Sequence, residues 1–244
     1  VMVVVSLGAV WAGGHVFHLF IAAVSGVMVW ELVRMLAPER PAIALQIGGL
    51  CALAALIAIY LPGLVVLPIL LAPCAVGVSI IKKDGAVFAI FCALIMCAGY
   101  KMMSIRDGSG IAWMLWLVLI VIASDVAGYF AGKALGGPKF WPRLSPKKTW
   151  SGTAAGWLGG GLIGLVFVVT QGAPVMIVGY SVIVAFAAQL GDIAESAIKR
   201  RAGVKDSSAL LPGHGGLLDR FDGMLGAALF LLIAGQIVDF PPGV

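Results

Sequence analysis

Two aspartates three residues apart, Asp219 and Asp222, follow a His214-Gly215-Gly216 turn and are bracketed by Lys199, Arg200, Lys205 and Arg220. If the segment they open is helical, this spacing puts both carboxylates on one face. The whole stretch 196–222, SAIKRRAGVKDSSALLPGHGGLLDRFD, carries five cations and three carboxylates between two strongly apolar segments. Ionised groups are costly beside lipid, so such a stretch is either a solvated loop or a working site. Its spacing favours a working site. Carboxylates able to hold a divalent metal, beside basic groups and glycines able to receive phosphates, are the components of phosphoryl or nucleotidyl transfer.

Other polar groups at membrane depth also lie in the C-terminal half. Asp192, Glu195, Ser196 and Lys199 fall at offsets 0, +3, +4 and +7, one stripe of a helix. One reading is a packing ion pair from Lys199 to either carboxylate. The other is a cavity-facing site, favoured because Asp219 and Asp222 open the next apolar segment. A tight connection would bring Asp192 and Asp219 around one cation. Asp125, Tyr129 and Lys133 are spaced four apart and share a helix face. Beyond them, Ser145-Pro146-Lys147-Lys148-Thr149 reads as a turn offering hydroxyls and two cations to an anion. Taken alone, that basic segment also suits contact with anionic lipid.

The elements that must position these groups are set by composition. The chain of 244 residues is 61% hydrophobic and 11% charged, with a mean hydropathy of +1.09. Soluble domains carry about 25% charged residues, so a polytopic membrane protein is expected. Breaks at Gly, Pro and charged residues leave about nine candidate spans, near 1–12, 15–36, 41–60, 63–81, 85–103, 109–135, 152–170, 174–200 and 219–238. The expected fold class is all-α, a single integral-membrane domain over 1–244. Residues 1–108 are its N-terminal transmembrane helices and 109–244 the catalytic half. The expected partner is the lipid bilayer, with no nucleic acid. The chain opens on Val1 inside an apolar segment, which suggests that residues precede it. A removable signal peptide is not expected, because no basic region with a small-residue cleavage site follows.

With the N-terminus cytoplasmic, all of the 16 Lys and Arg residues except Lys101 and Arg106 fall on cytoplasmic connections or their flanks. The polar connections 136–151 and 201–218 then share the cytoplasmic face, and the polar cleft opens there. Cys51, Cys74, Cys92 and Cys97 lie in apolar segments without metal-ligand spacing and read as small buried hydrophobes. Gly156, Gly160 and Gly164 form a close-packing ladder. Packing inside the bundle is the favoured use, a homodimer interface the alternative. Glu31 and Arg34 read as a helix-end ion pair, and His15 and His18 as interfacial packing.

The run S-x-x-K-R-x4-K-D-x5-P-x-H-G-G-x-x-D-R-x-D resembles the motif of the phosphatidate cytidylyltransferases, the CDP-diacylglycerol synthases. Two upstream stretches add to the likeness, SDVAGYFAGK (Ser124 to Lys133) and SPKKTWSG (Ser145 to Gly152). In one position the chain departs: the usual glutamate of the second stretch is Ser151. The resemblance implies cytidylyl transfer from CTP to phosphatidic acid, giving CDP-diacylglycerol and pyrophosphate in phospholipid biosynthesis. It implies Mg²⁺, with room for a second cation, held by Asp219 and Asp192 with Asp222 as additional ligand or support. Lys199, Arg200, Lys205 and Arg220 are then candidates for the triphosphate or the lipid phosphate. Lys147 and Lys148, with Ser145, would close over the nucleotide, and Asp125 and Tyr129 belong to the same substrate site. His214 either positions its turn or donates to a phosphate. The resemblance also implies a bacterial-type inner membrane, crossed several times, with the active site on the cytoplasmic side.

Two other readings differ in what they require. A CTP-dependent lipid-alcohol kinase, or a cytidylyltransferase for another lipid phosphate, would keep basic and acidic clusters, and the full motif argues against it. An ion-coupled transporter would scatter polar groups through both halves. Residues 41–81 hold no ionisable group beyond Tyr60 and the cysteines, which favours an enzyme.

Overall fold

Helix limits in this chain follow its glycines and prolines. The computed structural model describes residues 2–213, 215–238 and 240. Its helices are α1 (Met2–Ala12), α2 (Gly14–Leu36), α3 (Pro41–Ala58), α4 (Gly63–Ile80) and α5 (Gly85–Gly108). They continue with α6 (Ile111–Leu135), α7 (Trp150–Gln171), α8 (Met176–Arg201) and α9 (Leu218–Ala234). Pro41 occupies the first turn of α3, where its missing N–H costs nothing. Among the described residues seven helices, α2 to α8, are long and apolar enough to cross a membrane. The 11 residues of α1 and 17 of α9 fall short of the ~20 that a span requires. The protein is an all-helical, multi-pass membrane protein.

One small element departs from the helical plan. Lys139–Trp141 (β1) and Ser145–Thr149 (β2) pair antiparallel, with Lys139 opposite Thr149 and Trp141 opposite Ser145. The segment 145–149, expected as a turn, is therefore a strand, and residues 142–144 make the turn. Local bonds fix the base of this ribbon. The Trp150 amide donates to Pro138 O at 3.0 Å, and the rings of Phe140 and Trp150 meet edge to face, 4.7 Å apart. Thr149 is the N-cap of α7 and accepts from the Gly152 amide at 3.2 Å.

The chain forms two compact units, Val1–Ile111 with Arg201–Phe221, and Ala112–Arg200 with Asp222–Val244. In the first, α2 to α5 bury Phe17, Met28, Leu32, Phe88, Met102 and Met103. Leu45, Leu53, Leu64 and Leu67 on α3 and α4 are exposed, as lipid-facing positions should be. His18 is buried and bonded rather than merely packed, 2.8 Å from Tyr60 Oη and 2.7 Å from Asp107 Oδ2. All four cysteines are free. In the second unit the glycine ladder of α7 serves packing inside the bundle. Gly160 and Gly164 lie against Ser181 of α8, and Gly156 against Ser124 of α6 and Gln189 of α8.

Candidate active site

In the second unit α6, β2, α7 and α8 enclose a cavity of about 400 Å³. Its α6 wall is one helix face bearing Ser124, Asp125, Tyr129 and Lys133, and the ammonium of Lys133 lies 5.9 Å from the Tyr129 ring centre. Strand β2 contributes Lys147, Lys148 and Thr149, α7 contributes Thr153, and α8 contributes Gln189 and Asp192. Lys148 makes a 2.5 Å ion pair with Asp192 and reaches Gln189 O at 3.4 Å. Gln189 is buried and ties three helices together. Its Oε1 accepts from Trp157 Nε1 at 3.0 Å, and its Nε2 donates to Ser124 Oγ and Thr153 O, both at 3.2 Å. Sequence reasoning passed over Gln189, although a lone amide within the apolar run of α8 was the available signal.

Beside Asp192 the unit gathers more carboxylates. Ligand atoms of Asp192, Glu195 and Asp222 all lie within 4.8 Å of one another. This proximity depends on two glycines. A Cβ on Gly191 would stand 2.2 Å from Asp222 O, and one on Gly226 would stand 2.2 Å from Ala187 O. The backbones of α8 and α9 can therefore touch, and Asp192 meets Asp222. Glu195 is buried and paired with Lys199 one turn on. Ser196 Oγ donates to Asp192 at 3.4 Å. Oxygen-only donors at this spacing suit a hard divalent cation such as Mg²⁺. Lys148 and Lys199 offset part of the mutual repulsion.

In the first unit a different carboxylate arrangement shapes the motif loop. Asp219 Oδ2 accepts from the Gly216 amide at 2.7 Å and from the Ser207 amide and hydroxyl, both at 3.0 Å. Glu31 of α2 is fully buried and turns to the same loop. The helix-end pair with Arg34 is therefore not made. The Arg34 guanidinium lies over Trp30 instead, 5.9 Å from the ring centre. Arg201 donates twice to one oxygen, Asp84 Oδ1, from Nε at 2.9 Å and Nη2 at 2.7 Å. Lys205, Arg200 and Arg220 are exposed. Ser145 is half-buried opposite Trp141. Ser151 Oγ donates to Gly136 O at 2.5 Å and lies 3.0 Å from Thr149 Oγ1. His214 lies outside the described residues.

The model of the cytidylyltransferase family matches residues 1–238. The phosphatidate cytidylyltransferase of Brucella suis biovar 1 (strain 1330) is 36% identical over 250 residues, covering 97% of this chain and 90% of that protein. Two further proteins of that name are each 39% identical over a shorter stretch. The one from Bacillus subtilis (strain 168) aligns with 51% of this chain and 48% of its own length. The one from Helicobacter pylori (strain ATCC 700392 / 26695) aligns with 54% and 50%.

Proposed function

The chain belongs to the cytidylyltransferase family, and from that premise we propose that it transfers a cytidylyl group from CTP to phosphatidic acid. The products are CDP-diacylglycerol and pyrophosphate. The observation that carries this reading is the cavity in which Lys133, Lys147 and Lys148 stand with Asp125 and Asp192. It adjoins, through Asp192, the carboxylate cluster with Glu195 and Asp222. Two polyanions must approach each other in this reaction, and their repulsion has to be offset.

Lys147 and Lys148 hold the triphosphate, the Tyr129 hydroxyl helps to orient it, and Asp125 accepts from donor groups of the nucleotide. An ionised oxygen of the lipid phosphate attacks the α-phosphorus, the bond to the β-phosphate oxygen breaks, and pyrophosphate leaves. No general base is needed, because the attacking oxygen carries no proton near neutral pH. Asp192 and Asp222 would hold Mg²⁺, with Asp219 as a further ligand on the strength of the motif. The metal, when bound, supplies charge neutralisation and Lewis acidity at the phosphates. Lys199, Arg200, Lys205 and Arg220 attract the anionic substrates toward the membrane surface.

On this reading α1 and α9 also lie in the bilayer, giving nine embedded helices. The site opens to the cytoplasmic side of a bacterial inner membrane. A homodimer would need a face other than the glycine ladder, which is engaged within the second unit. The test is to supply purified protein in liposomes with CTP, phosphatidic acid and Mg²⁺. The expected result is pyrophosphate and CDP-diacylglycerol in equal amounts. Release of CDP with a phosphorylated lipid would make the protein a kinase and sink the reading.

A further inference from the structure

We propose that Glu31, in the N-terminal half, is a positioning residue for nucleotidyl transfer, holding the loop 207–218 that leads into Asp219 and Arg220. The inference rests on the cytidylyl-transfer reading for its kinetic part alone. Glu31 has 0% exposure, and four donor groups stand within hydrogen-bond distance of its carboxylate, all at the two ends of that loop. At the loop's start Ser208 Oγ donates at 2.6 Å, and Ser207 Oγ, at 3.2 Å, is shared between Glu31 and Asp219. The amides of Leu217, at 2.8 Å, and Leu218, at 2.7 Å, donate from its end.

These last two amides belong to the start of α9, where backbone N–H groups lack partners within the helix and a negative charge is stabilised. Glu31 therefore caps α9 from a helix 187 residues away in sequence. The same contacts close the loop by joining its ends. A Cβ on Gly216 would stand 2.4 Å from Glu31 Oε1 and 2.0 Å from Ser207 Oγ. Glycine is what lets the loop descend onto this carboxylate.

Ser207 carries the argument to Asp219. Its Oγ lies 3.2 Å from Glu31 Oε2 and 3.0 Å from Asp219 Oδ2. A hydroxyl has one proton and can donate it to one carboxylate at a time. Bonding at Asp219 is thereby tied to bonding at Glu31. Arg34, one turn along α2, lies over Trp30, which leaves the loop donors as the groups shown on this carboxylate. A buried carboxylate satisfied by neutral donors of one loop is suited to fixing that loop rather than to reacting.

The test uses Glu31→Gln and Glu31→Asp in the full chain, with hydrogen exchange of peptides from 205–218 and from α2 to α5, and steady-state kinetics. Glutamine keeps the volume but turns an NH₂ toward groups that donate. Expected for Glu31→Gln are faster exchange confined to 205–218 and a kcat lower by about 10- to 100-fold, with KM for CTP within about threefold. Glu31→Asp, which keeps both acceptor oxygens, should fall between the wild type and Glu31→Gln. Wild-type kcat or unchanged loop exchange in Glu31→Gln would overturn the proposal. So would exchange rising equally through α2 to α5, since Glu31 would then serve the fold alone. If Glu31→Gln does not fold, Ser208→Ala removes a single donor and carries the same prediction at a few-fold. Exchange is read without substrate. A wild-type protein inert toward CTP would therefore defeat the reading of function, while loop exchange still decides whether Glu31 holds the loop.

Discussion

In the first unit Glu31 and Asp219 accept from backbone amides and serine hydroxyls, whereas in the second Asp192 and Glu195 face lysine ammonium groups and crowd Asp222 within 4.8 Å. The difference separates two uses of the same functional group. Amide donors are fixed dipoles that cannot leave, so a carboxylate saturated by them stabilises one backbone path. Carboxylates gathered against one another carry a repulsion that lysines offset in part and a divalent cation offsets more fully. A mobile lysine can exchange its partner for a phosphate oxygen, which an amide cannot do. On the proposed reading the second unit holds the groups that change partners during the reaction, and the first holds those that keep a loop in place.

The largest effect expected from this contrast is at Asp192. Replacing it by Asn removes a charge from the cluster and the partner of Lys148. Several kcal/mol of transition-state stabilisation should be lost, roughly a 10³-fold fall in kcat. The melting temperature should fall little, because Asp192 is half-buried. An Asp192→Asn protein with near wild-type turnover would break the comparison at its strongest point.

Asp222 and Asp219 then sharpen it. Asp222→Asn should raise the Mg²⁺ concentration for half-maximal activity by about tenfold, equivalent to ~1.4 kcal/mol. Asp219→Asn instead aims an amide NH₂ at the Gly216 and Ser207 donors, so its main signature should be loss of protection in 207–218. The check is activity against Mg²⁺ for both variants, with hydrogen exchange alongside. A larger Mg²⁺ shift for Asp219→Asn than for Asp222→Asn would reverse the division of labour and restore Asp219 as the principal ligand.

The helical skeleton was legible because apolar runs end at residues that cannot continue them. Pro41 and Pro62 stand just before or at the start of α3 and α4, and Asp84-Gly85 at the start of α5. The ribbon was hidden, since SPKKT has no alternation of apolar residues and becomes a strand only by pairing with KFW. The face bearing Asp125, Tyr129 and Lys133 was readable from i, i+4 spacing, which needs one helix and nothing else. The meeting of Asp192 with Asp222 was implied by the family resemblance and not by spacing, because it depends on how closely α8 and α9 approach at Gly191 and Gly226. Glu31 was the least legible of all. Its partners lie 176 to 187 residues further along, while its sequence neighbour Arg34 offered a plausible pair that the fold does not use.

The helix contact that creates the cluster can be tested without touching a charge. Gly226→Ala places a methyl 2.2 Å from Ala187 O and 2.9 Å from Gly191 Cα, and rigid backbone cannot yield as a side chain can. Crowding of this kind costs about 1–3 kcal/mol, read as a lower thermal midpoint in detergent. Because α9 must move outward, the Mg²⁺ concentration for half-maximal activity should rise in the same variant. Gly179→Ala on the same α8, where nothing lies within 4 Å, should leave both quantities alone. Equal effects from the two substitutions would show that the close approach does not create the cluster.

The smallest effect is expected at Ser151, where the family motif usually carries glutamate. Here the hydroxyl donates to Gly136 O and meets Thr149 Oγ1, fastening the turn after α6 to the start of α7. A carboxylate cannot donate to that carbonyl, so Ser151→Glu should lose about 0.5–1.5 kcal/mol of stability. The loss is partly offset because a negative charge is favoured in the first turn of α7. Ser151→Ala lacks that compensation and should be the less stable of the two. Activity of both variants should stay within about threefold of wild type, because Ser151 acts on the ribbon's anchorage rather than on the cavity wall. A gain of tenfold or more in Ser151→Glu, with a lower Mg²⁺ requirement, would mean that the second unit lacks a ligand its relatives possess. The cluster of Asp192, Glu195 and Asp222 would then be an incomplete metal site in this chain.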